Sequence, residues 1–243
     1  MAVIDIRNFR KSFGKKVVHQ GVSFTVEKGE CMGLIGGSGT GKSVILRSLI
    51  GLEKPDSGQV FIDGVDVTAH SEKMWLPLRK RIAYVFQGGA LFDSLTVFEN
   101  LAYPLKEHTQ FTSTEIADRV HGLLEQFGLR GNENVYPSSL SGGMQKRVGL
   151  ARAIIMNPDV ILYDEPTAGL DPYNSKKILE MILNLKKTGV TSILVTHDMP
   201  IALAACERLA MLMDGTIKAI GKPDELEKEQ GSLISKFILG EMR

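Results

Sequence analysis

Cysteine is scarce in this 243-residue chain, and a long apolar run is missing. Cys31 and Cys206 lie far apart with no metal-type spacing, which argues against a disulfide framework or a zinc site and for reduced, packed thiols in a cytosolic protein. Apolar stretches such as 160–163 and 192–196 fall far below the roughly 18 residues that span a bilayer, so the chain is not expected to cross one. The start, Met1-Ala2-Val3-Ile4-Asp5, carries an acid where a signal peptide carries bases, and no apolar segment follows. Excess charge is absent too: 29 Lys and Arg face 28 Asp and Glu, a formal charge of +1. That balance lacks the basic footprint of a nucleic-acid binder, and no partner of that class is expected. Sustained heptads, internal repeats and low-complexity linkers are likewise missing.

What is present is ample apolar content, 43% of residues, arranged in changing periods. Residues 3–9 and 22–26 alternate apolar and polar side chains around a Gly14-Lys15-Lys16 turn, the pattern of half-buried antiparallel strands. Residues 31–35 form a short continuous apolar run, followed by glycines and then by helical spacing over 44–50. That is the strand–loop–helix order of a buried parallel sheet. Further buried strands are predicted at 81–86, 160–163 and 192–196. Between the first two of these lies a segment, 88–157, with helical patterns at 113–127 and 141–156, too long for a simple crossover and so predicted to be an inserted helical subdomain. Asp214-Gly215 predicts a hairpin, and helical patches at 224–229 and 232–239 close the chain.

The glycines after residue 35 read Gly36-Gly37-Ser38-Gly39-Thr40-Gly41-Lys42-Ser43, which satisfies the phosphate-loop pattern in the required strand–loop–helix setting. Glycines let the backbone curl so that successive N–H groups point at phosphates. Lys42 would then meet the β and γ phosphates and Ser43 would place its hydroxyl on Mg²⁺. On its own this motif predicts nucleotide binding and nothing about transport.

The strand at 160–163 runs into Asp164 and Glu165. Adjacent strand residues point in opposite directions, so Asp164 suits the Mg²⁺ shell and Glu165, just beyond, suits polarisation of the attacking water. An Asp-Glu-Pro sequence can also simply end a strand. His197 follows another predicted strand end, where ligand crevices form in α/β sheets, and so is a candidate γ-phosphate contact; a surface histidine is the plainer reading. Gln87 is argued alike, as an amide oxygen for Mg²⁺ or water against a merely solvated side chain. Leu140-Ser141-Gly142-Gly143-Met144-Gln145 opens a helix with Ser and two glycines, a second anion cradle.

With these motifs in this order, and the Gly169-Leu170-Asp171-Pro172 turn between them, the chain resembles the ABC-transporter ATPases over essentially its whole length. The resemblance implies an α/β fold: a P-loop NTPase (RecA-like) core with a mostly parallel sheet (1–87 and 158–243), an N-terminal antiparallel β subdomain, and an inserted helical subdomain (88–157) carrying the signature motif. It implies that Phe13 stacks on adenine, that Gln87 links Mg²⁺ to a membrane partner, that Glu165 is the catalytic base and that His197 is a γ-phosphate switch. ATP and Mg²⁺ are the implied cofactors. Two subunits would bind head to tail, Ser141, Gly142 and Gly143 of one closing on ATP in the phosphate loop of the other, with Asp171 in the loop that crosses the interface. One departure is visible: Met144 stands where the family has Gln, and a thioether is a weak acceptor.

The stretch 85–109, with its Ala-Leu-Phe, Val-Phe-Glu-Asn and Tyr-Pro-Leu-Lys-Glu-His-Thr elements, is similar to the Mla-type ATPases of phospholipid trafficking. That similarity implies an integral membrane permease and an Mce-type lipid-binding protein as partners, at the cytoplasmic face of the inner membrane. Leu91, Phe92, Val97 and Phe98 would be either core or, where exposed, the floor for a permease helix. An amino-acid or other small-solute importer would carry the same catalytic motifs.

Overall fold

The computed structural model of the protein describes residues 2–228 and 233–238. The chain opens on β1 (Ala2–Phe13) and β2 (Lys16–Glu27), paired antiparallel about the Gly14-Lys15 turn. Both strands outrun the alternation read from sequence. The pairing is interrupted by register shifts between Ala2 and Ile4, Ile6 and Phe9, Phe9 and Arg10, and Lys11 and Ser12, so a strict period of two does not hold along the whole of either strand. β3 (Cys31–Ile35) is buried at every position and leads through the glycine loop into α1 (Lys42–Ser48). β4 (Ser57–Ile62), β5 (Val65–Asp66), α2 (Glu72–Arg79) and β6 (Ile82–Val85) follow.

Two helices then begin on reciprocal caps. Thr96 opens α3 (Val97–His108) with Glu99, and Thr112 opens α4 (Ser113–Gln126) with Glu115; each hydroxyl accepts from the glutamate's backbone N–H while the carboxylate accepts from the threonine's. Those backbone bonds, reinforced by the threonine side chains, hold the Glu99 and Glu115 carboxyls below their ordinary range. A 3-10 turn at Pro137–Ser139 leads to α5 (Gly142–Ile154), then β7 (Val160–Asp164), α6 (Pro172–Lys186), β8 (Thr191–Val195) and α7 (Met199–Ala205). β9 (Arg208–Met213) and β10 (Thr216–Gly221) form the hairpin through Asp214 and Gly215, whose φ of 50° and 71° suit a primed two-residue turn. The tail carries α8 (Pro223–Lys228) and α9 (Leu233–Ile238); Glu229, Ser232 and Leu239, placed in helical patches by sequence, lie outside the described residues.

The chain forms two compact units, one of residues 1–79 with 183–243 and one of residues 80–182. In the first, an antiparallel sheet runs in the order β2-β1-β4-β5, and a second set runs β10-β9-β3-β8, with β3 parallel to both β8 and β9. Its core holds Met32, Leu34, Ile35, Leu194, Val195, Leu209 and Leu212, each at most 1% exposed. Burial of a side chain of this kind contributes about 1.5–3 kcal/mol, which is why a five-residue strand with no polar face is stable here. In the second unit β6 and β7 pair in parallel, and α3, α4 and α5 enclose Leu101, Leu105, Val120, Leu124 and Val148. The chain thus has the α/β class expected from its sequence, with mostly parallel pairing around β3 and β7. No helix among the described residues is long and apolar enough to cross a membrane.

Candidate functional site

In the first unit the loop after β3 is closed around its own lysine. Lys42 Nζ donates to the carbonyls of Gly36 at 2.8 Å and Gly37 at 2.9 Å, with the side chain 6% exposed. Thr40 Oγ1 adds a bond to the Gly37 carbonyl at 2.9 Å. Gly36 is required by space: its φ is 152°, and a Cβ there would stand 2.3 Å from the Leu212 carbonyl oxygen. Gly41, at φ 94°, caps α1 without a side chain and would drive a Cβ to 2.4 Å from Val18. Gly37, Ser38 and Gly39 remain exposed at the crest, and a Cβ on Gly39 would meet nothing within 4 Å. A curled backbone with an ammonium at its centre and an open crest fits a polyphosphate.

Beneath Gly41 lies a residue that sequence reading passed over. The His19 ring packs edge-on to Phe9, centroids 5.3 Å apart, is 1% exposed, and neither nitrogen makes a hydrogen bond of normal geometry. Burial pushes its pKa down to about 4, the Gly41 backbone opposing only in part. Since the folded value lies below the unfolded one, the neutral ring's contribution is complete above about pH 6.5 and is lost as pH falls through about 4. The span corresponds to about 3 kcal/mol. Urea midpoints of wild type and His19→Leu at pH 7, 5 and 4 are expected to diverge on acidification, with the variant less acid-sensitive. Parallel curves would mean that His19 does not set this lability.

Two further predicted residues lie in this unit. Phe13 ends β1 with its ring 45% exposed and Lys11 Nζ 5.1 Å from the ring centre, so an aromatic face is presented. His197 follows β8 and is exposed, while the next residue, Asp198, caps α7 by accepting from Ile201 N–H at 3.3 Å.

The second unit holds the other candidates. Among the described residues, six non-glycine residues have positive φ, and four of them are Asn or Asp, which tolerate it. The other two are Ala90 at 48° and Glu165 at 49°, one shortly after β6 and one directly after β7. Such backbone strain collects where a chain must aim a particular group. Asp164, the last residue of β7, is 5% exposed, and the Tyr84 hydroxyl donates to its Oδ2 at 2.7 Å. Gln87 is exposed at the turn after β6.

That turn is held from below. Arg152 of α5 donates to the carbonyls of Gly89 at 3.2 Å and Ala90 at 2.7 Å, and the fully buried Asn100 of α3 bonds both N–H and C=O of Phe92. A Cβ on Gly149 would come within 2.9 Å of Gly89. Of the apolar residues after it, Val97 is core at 0% exposure, Leu91 and Phe98 are half-buried, and Phe92 is 44% exposed. Phe92 packs edge-on against Tyr103, also 44% exposed, which the sequence reading did not single out.

Ser141 is the N-cap of α5, its hydroxyl accepting from Met144 N–H at 3.3 Å; Gly142 is exposed, and Gly143 is buried against Asn174, which a Cβ would overlap. Gln145 cannot stand in for the glutamine replaced by Met144. Its amide nitrogen donates to the carbonyls of Pro137 at 2.9 Å and Leu140 at 3.3 Å. Asp171 caps α6 through Asn174, whose N–H and side-chain amide it accepts at 3.0 and 2.6 Å; these bonds hold its carboxyl below the ordinary range. Lys146 of α5 donates to the Ala168 carbonyl at 3.0 Å, fixing the loop between Glu165 and Asp171; burial lowers its pKa and the Glu165 charge partly restores it.

The donors proposed for a metal, the Ser43 hydroxyl, the Asp164 carboxylate and the Gln87 amide, are all oxygen, which suits a hard cation such as Mg²⁺. The described residues contain no cluster of three or more His, Cys, Asp or Glu able to hold a metal alone. Mg²⁺ needs none, because it retains waters and is bound through one or two carboxylates plus substrate phosphates.

Known proteins give this geometry a context. A family described as ABC transporter matches residues 19–168. The chain is 38% identical over 238 residues to the probable ribonucleotide transport ATP-binding protein mkl of Mycobacterium tuberculosis (strain ATCC 25618 / H37Rv), covering 98% of this chain and 66% of that one. It therefore spans just under two thirds of the length of that relative. It is 37% identical over 239 residues to the intermembrane phospholipid transport system ATP-binding protein MlaF of Escherichia coli (strain K12), covering 98% of this chain and 89% of MlaF. The dimeric post-hydrolysis structure of the ATP-binding cassette MJ0796, bound to ADP and Pi, superposes with a TM-score of 0.83 at 32% identity over 90% of this chain and 98% of that one.

Proposed function

Because the chain belongs to the ABC transporter family, we propose that it is the ATP-hydrolysing subunit of a membrane transporter whose cargo is phospholipid. The observation that carries the catalytic half is the phosphate loop closed around Lys42 with an open crest. The cargo half rests on the likeness to MlaF along nearly the whole chain, added to the Mla-like stretch at 85–109.

In this reading the backbone of Gly36, Gly37, Ser38, Gly39, Thr40 and Gly41 cradles the phosphates, and Lys42 neutralises them. The exposed face of Phe13 takes the adenine. Ser43, Asp164 and Gln87 bind Mg²⁺, which when bound draws charge from the phosphates. Glu165 takes the proton of the attacking water, and His197 contacts the γ-phosphate. Two copies pair head to tail, the Ser141 hydroxyl and the Gly142 and Gly143 amides closing on the nucleotide of the other copy, with Asp171 in the loop that crosses the interface. The likeness to the dimeric cassette MJ0796 with ADP and Pi supports the pairing of two copies.

The exposed Phe92, in the loop before α3, and Tyr103 of α3 suit contact with an apolar helix of a permease. The segment 88–157 would serve as the helical subdomain of the cassette. The subunit would work at the cytoplasmic face of the inner membrane, with an Mce-type lipid-binding protein on the far side of the permease. Purification of the tagged subunit with its bound permease from membranes, followed by extraction and mass spectrometry, is expected to recover enriched phospholipid and an Mce-type protein. Recovery of a small-solute binding protein without lipid enrichment would overturn the cargo reading and leave the ATPase reading intact.

A further inference from the structure

We propose that Tyr84 is a positioning residue that holds the Asp164 carboxylate in its metal-binding orientation. The inference rests on the reading of Asp164 as a Mg²⁺ ligand, and adds a residue to it.

Strand register creates the pair. β6 and β7 run parallel with Tyr84 opposite Leu162 and Val85 opposite Tyr163. Side chains alternate along a strand, so Asp164 shares a face with Leu162, and Tyr84 becomes its diagonal neighbour, within reach of a long side chain. The hydroxyl reaches Oδ2 at 2.7 Å, the length of a bond from a neutral O–H to a charged carboxylate. The ring is itself held: Phe86, next on the same side of the chain, lies with its centroid 4.3 Å away at an interplanar angle of 37°.

The bond has a chemical consequence. A carboxylate offers about four lone-pair sites, and a donor on one oxygen fixes the plane of the group. Asp164 is 5% exposed, so little water competes for this role. With one Oδ2 site occupied by the phenol, rotation about the last side-chain torsion is restricted and the remaining sites face a set direction. The opposite relation, in which Asp164 merely satisfies a half-buried phenol, predicts no effect of Tyr84 on metal binding.

Tyr84→Phe removes the hydroxyl and retains the ring. ATP binding to the full-length subunit would be followed by fluorescence of a labelled ATP analogue as MgCl₂ is raised, in a Glu165→Gln background so that no turnover intervenes. The expected result is a rise of about 10-fold in the Mg²⁺ concentration for half-maximal binding, from loss of one hydrogen bond to a charged group. Binding without metal should be unchanged. Thermal unfolding without nucleotide checks that the variant is folded, and Tyr84→Met, which removes ring and hydroxyl together, should show the same metal defect. Asp164→Asn separates the two readings. If it abolishes Mg²⁺ dependence while both Tyr84 variants leave that dependence unchanged, the positioning role is wrong and the metal-ligand reading stands. If Asp164→Asn itself leaves Mg²⁺ dependence unchanged, both fall.

Discussion

Replacing Glu165 by Gln is expected to leave ATP binding intact, to lower turnover by roughly 10²–10⁴-fold, and to hold the purified subunit as an ATP-bound dimer. The argument begins with the backbone. Glu165 has φ 49°, a conformation unfavourable for a side chain of this kind, and the sequence keeps it there although glycine would be less strained. A required carboxylate at that point accounts for the strain. Glutamine has the same shape and the same backbone demands, so the loop to Asp171, fixed by Lys146 on the Ala168 carbonyl, should not move. What the amide lacks is basicity. The water proton then has no acceptor, and the closed dimer, whose opening depends on losing the γ-phosphate contacts, persists. Phosphate release assays and light scattering with ATP measure the two halves separately. Turnover within a few-fold of wild type would overturn the base assignment, and a monomer in saturating ATP would overturn the dimer.

The parts of this site legible in sequence are those set by short-range chemistry. β3 was readable because a strand buried on both sides needs no polar face and the glycines that follow have no other common use. That Asp164 closes a buried strand and Glu165 follows it was readable from the apolar run that precedes them. What escaped depended on register or on long-range burial. Tyr84 meets Asp164 only because β6 and β7 pair as they do. His19 looks like any strand histidine until Gly41 is folded over it. α3 was hidden by Pro104 within it and by Asn100, which is polar yet fully buried because its amide serves the backbone at 92, 95 and 96. Its capping box, Thr96 with Glu99, was the available signal. The apolar residues after Gln87 fall into two roles that the sequence does not separate, Val97 as core at the start of α3 and Phe92 as surface in the loop before it, because hydrophobicity alone does not say which side chains are covered.

Lys42→Ala should remove nucleotide binding itself, with ATP affinity falling roughly 10²–10³-fold, about 3–4 kcal/mol. Two losses combine. The phosphates lose their nearest fixed positive charge in a setting where Lys42 is 6% exposed, and water there is a poor substitute. The loop loses the donor that joins the Gly36 and Gly37 carbonyls at 2.8 and 2.9 Å, so the amides of the crest are no longer prearranged. The second loss is visible without ligand, as a stability decrease of about 1–2 kcal/mol from the unmade hydrogen bonds. The first appears as the disappearance of thermal stabilisation by ATP, which for wild type grows with the logarithm of ligand concentration over Kd. Measuring the midpoint with and without ATP and Mg²⁺ in both proteins separates the terms. A variant that kept tight ATP affinity would overturn the reading of this loop as the phosphate cradle. A variant destabilised without ligand yet normal in affinity would make Lys42 a structural clasp, and the charge that recognises ATP would have to come from elsewhere in the chain.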